Sequence, residues 1–365
     1  MKQKKLTAPL FLIPVVLFLI LSACGKPAAT QASASPSPES TATPTATATP
    51  EPSTYNGPLN VLTGMPISEK WANKRPIAVM INNLKAALPQ HGVSQADIIY
   101  EVPAEGGITR MLAVFQSVEG VGDIGSVRSS RPYYLELALG LDAVYLHAGG
   151  SEDAYAKIKS WAVTALDCVN GPYEGTLYWR DKERIKTAGY EHSVFTSGDT
   201  IINCFKNYSF RMEHEKGYSY QMQFADDGTP AGGESARVIT VPYSYYKTGV
   251  FLYDADSGRY LIEEYDKPYV DGNTGGQVEV TNVVILRTAC KLIAGDTYGH
   301  LTVDLTSGGE GYFACGGKII PIKWSKADRD SQFVYKTLDG KTVTFGKGST
   351  YVNIIPLEKD ITIGK

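Results

Sequence analysis

The stretch Asp226-Asp227-Gly228-Thr229-Pro230-Ala231-Gly232-Gly233-Glu234 divides the 365-residue chain into two texts with different periods. Aspartate and glycine favour turns and proline lacks a ladder donor, so such a run continues neither helix nor strand. Before it, short apolar runs at 76–81, 98–102, 111–115 and 143–146 read as strands by their length and their β-branched or aromatic content. Between and after them, 132–141, 152–161 and 200–207 read as helices. Pro132 stands early in the first, after Ser129 and Ser130. Ser151 caps the second, with Glu152 and Asp153 in its first turn.

After the junction the text is strand upon strand, at 238–241, 250–253, 260–265, 278–287, 300–305, 312–315, 318–324 and 342–345. Turn signals such as Asp256-Ser257-Gly258, Gly308-Gly309, Gly316-Gly317 and Asp339-Gly340 punctuate them. The fold class expected is α+β, with a mixed α/β N-terminal domain over 58–225 and a mostly antiparallel all-β C-terminal domain over 235–365. About 310 residues follow the low-complexity N-terminal region, which by length suggests roughly two domains.

The N-terminal region carries an address. Lys2, Lys4 and Lys5 precede an apolar run from Leu10 to Leu21 interrupted by Pro14, and Ser22-Ala23 leads to Cys24. These are the parts of a secretory signal, and the run falls short of the roughly 20 residues a spanning helix needs. Leu21-Ser22-Ala23-Cys24-Gly25 resembles the lipobox of bacterial lipoproteins, which makes residues 1–23 a cleavable signal and Cys24 the acylated anchor. Residues 24–57 read as a disordered linker rich in Ala, Ser, Thr and Pro, too poor in apolar side chains to offset its chain entropy. The partner implied is a lipid membrane, and the place is the extracytoplasmic face of the cell membrane.

Cleavage after Ala23 removes three lysines and no acid, which moves the formal charge from −3 to −6. A weakly acidic head lacks the basic face that phosphate neutralisation requires, so no nucleic-acid partner is expected. Cys168, Cys204, Cys290 and Cys315 stand in a compartment that permits disulfides. Pairing within each domain would join Cys168 to Cys204 and Cys290 to Cys315, while four buried free thiols are an equal alternative. No metal signature and no cofactor motif is found. Asp254-Ala255-Asp256-Ser257-Gly258 lacks the distal glutamate of a calcium loop, and Gly346-Lys347-Gly348-Ser349 has a glycine where a phosphate loop needs serine or threonine.

Polar blocks gather instead at element boundaries of the first half. They are Glu105 to Arg110, Ser126 to Pro132, His147 to Ser151, Trp179-Arg180-Asp181 and Glu191-His192-Ser193. Two sit where a loop opens into a helix, a place where unpaired N–H groups and the helix dipole favour an anion. Arginine forks match phosphate or carboxylate, and glycines allow close backbone approach. Arg110, Arg128, Arg131, Arg180, Gly149, Gly150 and Ser151 are therefore the candidate ligand-binding residues. Structural salt bridges to Glu101, Glu105, Asp142 or Asp181 are the competing reading for each arginine taken singly.

Arg75 to Asn83, Pro89-Gln90-His91-Gly92, Gln95-Ala96-Asp97 and Tyr100-Glu101 closely resemble the YerB-like family of bacterial lipoproteins. The likeness runs through Glu105 to Arg110, Arg128 to Arg131, His147 to Ser151, Asn282-Val283-Val284, Gly309-Glu310-Gly311 and Lys323-Trp324. It departs at Gly189-Tyr190-Glu191-His192, where the family pattern has Ala-Pro-His. The resemblance implies paired N- and C-terminal domains without an assigned activity. Three functions remain open at this level. One is a tethered receptor for an anionic envelope ligand. A second is an envelope enzyme acting on a phosphate- or glycan-containing substrate, with His147 or His192 as acid or base and Glu105 or Asp181 orienting it. The third is a protein-interaction lipoprotein using Tyr243, Tyr245, Tyr246 and Tyr253.

Overall fold

Strand β1 (Ile77–Asn82) is buried along its whole length, which a strand achieves only when both faces of its sheet are covered. The period of two then divides its side chains. Ile77, Val79 and Ile81 enter one apolar core, while Ala78 and Met80 enter another on the opposite face. This computed structural model describes residues 55–365, so the signal, Cys24 and nearly all of the linker lie outside the described residues.

The first half continues with β2 (Ile98–Pro103), β3 (Thr109–Phe115), α1 (Pro132–Gly140), β4 (Val144–His147), α2 (Glu152–Ser160), β5 (Ala165–Asp167), α3 (Lys182–Thr187) and α4 (Gly198–Asn207). Pro132 opens α1 as its first residue, where a missing N–H costs nothing. Ser151 caps α2 by accepting from the Ala154 N–H at 3.2 Å. Glu152 and Asp153 at its start and Lys157 and Lys159 at its end complement the helix dipole.

The second half supplies β6 (Val238–Pro242), β7 (Thr248–Asp254), β8 (Arg259–Glu264), β9 (Asn282–Thr288), β10 (Cys290–Leu292), β11 (Leu301–Val303), β12 (Gly309–Cys315), β13 (Lys318–Ser325) and β14 (Thr350–Pro356). An eleven-stranded sheet runs Glu234–Ser235, β13, β12, β9, β14, β2, β3, β1, β4, β5, with Val334–Thr337 added on β13. Strand β14 lies between β9 and β2, parallel to both, with Val284 and Tyr100 each opposite Val352. The fold class is α+β: the first half contributes mixed parallel and antiparallel strands, and the second mostly antiparallel ones.

The two halves on either side of 226–234 contribute strands to one sheet. Every residue of β14 is buried, so it needs a partner on each side and a cover on each face. It finds one side partner in each half of the sequence. A second antiparallel sheet built on β6, β7 and β8 covers one face through Ile239, Val241, Phe251 and Ile262. Tyr133, Tyr134, Leu135, Leu137 and Ala138 of α1 cover the other. The sequence run 278–287 also divides, since Glu279–Val280 pairs with β8 in one sheet and β9 belongs to the other.

Beneath the second sheet lies a group of buried charges. Lys247 Nζ is 2.8 Å from Glu264 and 3.5 Å from Glu101, with all three side chains almost wholly inaccessible. Glu101 accepts from Tyr351 at 2.6 Å, from Thr109 at 2.5 Å and from Asn83 at 2.8 Å. Burial pushes the Glu264 carboxyl up to about 7, against the pull of Lys247. The charge of Glu101, facing the same ammonium in a dry site, adds to the cost of ionising Glu264.

The four cysteines are free, which corrects the disulfide alternative. Burial raises the thiols of Cys168 and Cys315 to about 11 and of Cys290 to about 12, so they pack as small apolar groups and not as nucleophiles. Among the described residues no helix is long and apolar enough to cross a membrane, and no His, Cys, Asp and Glu group has the form of a metal site.

Candidate active and ligand-binding site

Strands β1, β4 and β5 run parallel and end together at Asn82, His147 and Asp167. Antiparallel β3 begins at the same edge, with Arg110 opposite Asn82. Ligands of open α/β sheets sit at such carboxyl ends. Here the chain leaving the edge is held twice. The segment before α1 and the segment before α2 zip together, with the Ala148 N–H donating to the Arg128 carbonyl at 3.0 Å and the Ser130 N–H to the Gly149 carbonyl at 2.8 Å. The two helix N-termini are thus presented side by side. Gly149 makes this turn at φ +79°, a left-handed conformation that a side chain would strain. Its N–H donates to Asp167 at 2.8 Å.

Arg110, on β3, and Arg131, the residue before α1, both grip Glu105. Arg131 Nη2 reaches Glu105 Oε1 at 2.5 Å and its Nε reaches Oε2 at 3.2 Å, while Arg110 bonds the same Oε1. Burial pushes the Glu105 carboxyl up, but the guanidiniums of Arg110 and Arg131 more than reverse it and hold it below the usual carboxylate range. Two cations on one anion leave one positive charge in excess. Arg110 is almost wholly buried behind this triad, and Arg131 faces a cavity of about 590 Å³.

One wall of that cavity comes from the first half: Ser129, Arg131, Pro132, Gly150, Ser151, Glu152 and Asp153. The other wall is the β10–β11 hairpin of the second half, with Ile293, Asp296, Tyr298, His300 and Leu301. Asp153 is paired with Lys157 at 3.0 Å. His300 Nδ1 and Asp296 Oδ2 are 2.8 Å apart, and Tyr298 stands 78 % exposed with its ring centroid 5.6 Å from the His300 ring. Asp296 is held below the usual carboxylate range by its bonds from the His300 side chain and backbone. The cavity therefore offers one spare positive charge, several carboxylates able to accept hydroxyls, and an aromatic face.

Of the residues singled out from the sequence, Arg131, Gly150 and Ser151 line the cavity, and Arg110, Glu105 and Gly149 support it. The remainder are placed otherwise. His147 is buried, donates Nδ1 to the Gly149 carbonyl at 2.9 Å, and leaves Nε2 inaccessible and without a partner. Burial lowers its pKa, against the nearby Asp167. It fixes the glycine turn rather than meeting a substrate. His192 is also buried, and its Nδ1 accepts from Asn82 Nδ2 at 2.7 Å; Asn82 Oδ1 is committed to the Leu84 N–H, which fixes that orientation.

Asp181 is spent as the cap of α3, accepting from the Arg184 N–H at 2.7 Å, and so orients no histidine. Arg128 pairs with Glu191, and Arg180 pairs with Glu174 at 3.2 Å while stacking on Tyr190 at 3.8 Å. Neither lines the cavity, and the acids they pair with, Glu191 and Glu174, are not among the partners expected from the sequence. The residues that sequence reasoning missed are Asp296, Tyr298 and His300. Gly295 precedes this Asp-x-x-x-His run and Gly299 lies inside it, both at positive φ, and these turn residues were the available signal.

Residues 62–211 match the family described as "Protein of unknown function (DUF3048) N-terminal domain", and residues 239–352 match its C-terminal counterpart. YerB of Bacillus subtilis, a protein named as a lipoprotein, is 31 % identical over 306 residues, covering 81 % of this chain and 85 % of the relative. The crystal structure of Bacillus subtilis YerB superposes with a TM-score of 0.72 at 30 % identity, covering 84 % of this chain and 99 % of that one.

Proposed function

Because the chain belongs to the family of YerB, and because its first residues read as an export signal with a lipidation cysteine, we propose that it is a membrane-tethered extracytoplasmic receptor for an anionic envelope ligand. The observation that carries this reading is the sharing of Glu105 by Arg110 and Arg131, which leaves a positive charge facing the cavity at two adjacent helix N-termini. A partly desolvated guanidinium beside unpaired N–H groups favours a phosphate or carboxylate over water. The acidic and aromatic remainder of the walls suits a ligand rich in hydroxyls. An anionic polyol or glycan fits both demands, and the linker of residues 24–57 supplies the reach from an acylated Cys24.

Titration of the full-length protein in detergent with poly(glycerol phosphate) tests the reading. Binding should weaken with rising salt and fall at least tenfold in Arg131→Ala, which keeps the Glu105–Arg110 pair. Equal affinity in the variant would overturn the assignment of the site. The protein-interaction reading draws support only from surface tyrosines such as Tyr245, 90 % exposed, since Tyr243 is buried and donates to Asn353 at 2.5 Å.

A further inference from the structure

The second half brings to the cavity a histidine with a carboxylate behind it. His300 Nδ1 is 2.8 Å from Asp296 Oδ2, and Nε2 has no hydrogen-bond partner among the described residues. An aspartate holding Nδ1–H fixes the tautomer in which Nε2 carries the lone pair, the form a general base requires. Asp296 is itself pinned, accepting from the Tyr298 N–H at 2.8 Å and the His300 N–H at 3.1 Å, so the ring is held by a closed loop rather than a free side chain. Both residues line the same 590 Å³ cavity as Arg131.

We propose that the cavity is hydrolytic as well as receptive, with His300 as the catalytic base, Asp296 as its positioning residue and a phosphodiester of a polyhydroxylated alcohol as substrate. This rests on the anion-receptor reading above and adds a reaction to it. The charge inventory selects the ester. The Arg110–Glu105–Arg131 group has one positive charge in excess, enough for the single negative charge of a phosphodiester, while the wall carboxylates of Glu152 and Asp296 would oppose the second charge of a phosphomonoester dianion. In the step, His300 Nε2 takes a proton from water as the water oxygen bonds to phosphorus. The P–O bond to the alcohol breaks, and the imidazolium returns the proton to the departing oxygen. One phosphodiester and one water give one phosphomonoester and one alcohol, with no redox partner. Arg131 holds a non-bridging oxygen, and the carboxylates of Glu152 and Asp153 are placed to accept hydroxyls of the alcohol.

The test uses the full-length protein in detergent with bis(p-nitrophenyl) phosphate, read as nitrophenolate release, beside a binding titration with the same compound. The wild type should turn over the ester. His300→Gln should lose roughly a hundredfold in kcat with little change in KM. Asp296→Asn should lower kcat more than KM, a split that a merely structural loop residue would not give. Arg131→Ala should act chiefly on KM. Melting curves identify any variant that fails to fold, in which case Asp296→Asn carries the comparison. Binding without turnover in the wild type, or full kcat in His300→Gln, overturns the general-base assignment alone. Absence of binding together with absence of turnover overturns the receptor reading as well.

Discussion

Replacing Glu105 by alanine separates a structural ion pair from an anion site more sharply than replacing either arginine. In the native protein one carboxylate, 21 % exposed, serves two guanidiniums whose side chains are 3 % and 8 % exposed. Arg131→Ala leaves Glu105 with Arg110, so no charge loses its last partner and the cost should be about 1 kcal/mol. Glu105→Ala leaves two like charges facing one another without a counter-ion. Breaking a buried pair in this way costs about 3–5 kcal/mol, and partial solvent access places this site near the lower figure, about 3 kcal/mol. At roughly 2–4 °C per kcal/mol, the melting temperature should fall by about 6–12 °C in chloride buffer.

The vacated site then becomes a stronger anion receptor than the native one. Inorganic phosphate at about 100 times its dissociation constant would restore about 2.7 kcal/mol by mass action. Thermal melts of wild type, Glu105→Ala and the exposed-site control Glu183→Ala, each in chloride and in phosphate at matched ionic strength, provide the assay. Phosphate should recover most of the loss in Glu105→Ala and change the control little. A Glu105→Ala protein as stable as wild type, or equal phosphate effects on all three, would refute the reasoning.

Other consequences follow from the buried acids, the thiols and the anchor. Burial raises the carboxyls of Asp97 to about 6 and of Glu264 to about 7, so the folded state binds more protons than the unfolded one between their ordinary range and those values. Stability should therefore decline as pH rises from about 4.5 to 7, with a shallower slope in Glu264→Gln, read from urea midpoints; a rising slope over that window would contradict it. A thiol titration of the denatured, unreduced head should count four free cysteines after Cys24, and two or none would show bridges that the fold does not contain. Cys24→Ala should release the protein from the membrane fraction or leave it misprocessed, and an unchanged membrane fraction would remove the anchor from the account.

Much of the fold was legible because local rules decide it. The helices at 132 and 152 begin where their proline and serine signals place them, and β1, β2, β3 and β4 lie within a residue or two of their apolar runs. What escaped was β14, whose Tyr351-Val352-Asn353-Ile354-Ile355 follows a glycine-rich turn and shows no alternation because both of its faces are buried. Its place between β9 and β2 is a long-range pairing that no local signal encodes. Without it the halves read as separate domains. The site was legible in part for the same reason: Glu105, Arg131 and Ser151 sit at boundaries that local rules mark. His147 drew attention as a polar residue at a strand end, yet its ring serves the backbone of its own turn. His300 was passed over because the hairpin carrying it reaches the cavity only once the two halves share a sheet.

The central claim, that Arg131 and the paired helix openings hold the anionic part of a hydroxyl-rich ligand, is tested most directly by a crystal structure of the protein soaked with glycerol phosphate. The account expects density with a phosphate oxygen within hydrogen-bonding distance of the Arg131 guanidinium and the glycerol directed toward Tyr298 and His300. Density confined to Arg128, Arg180 or another surface, with the cavity beside Arg131 holding only solvent, would contradict it.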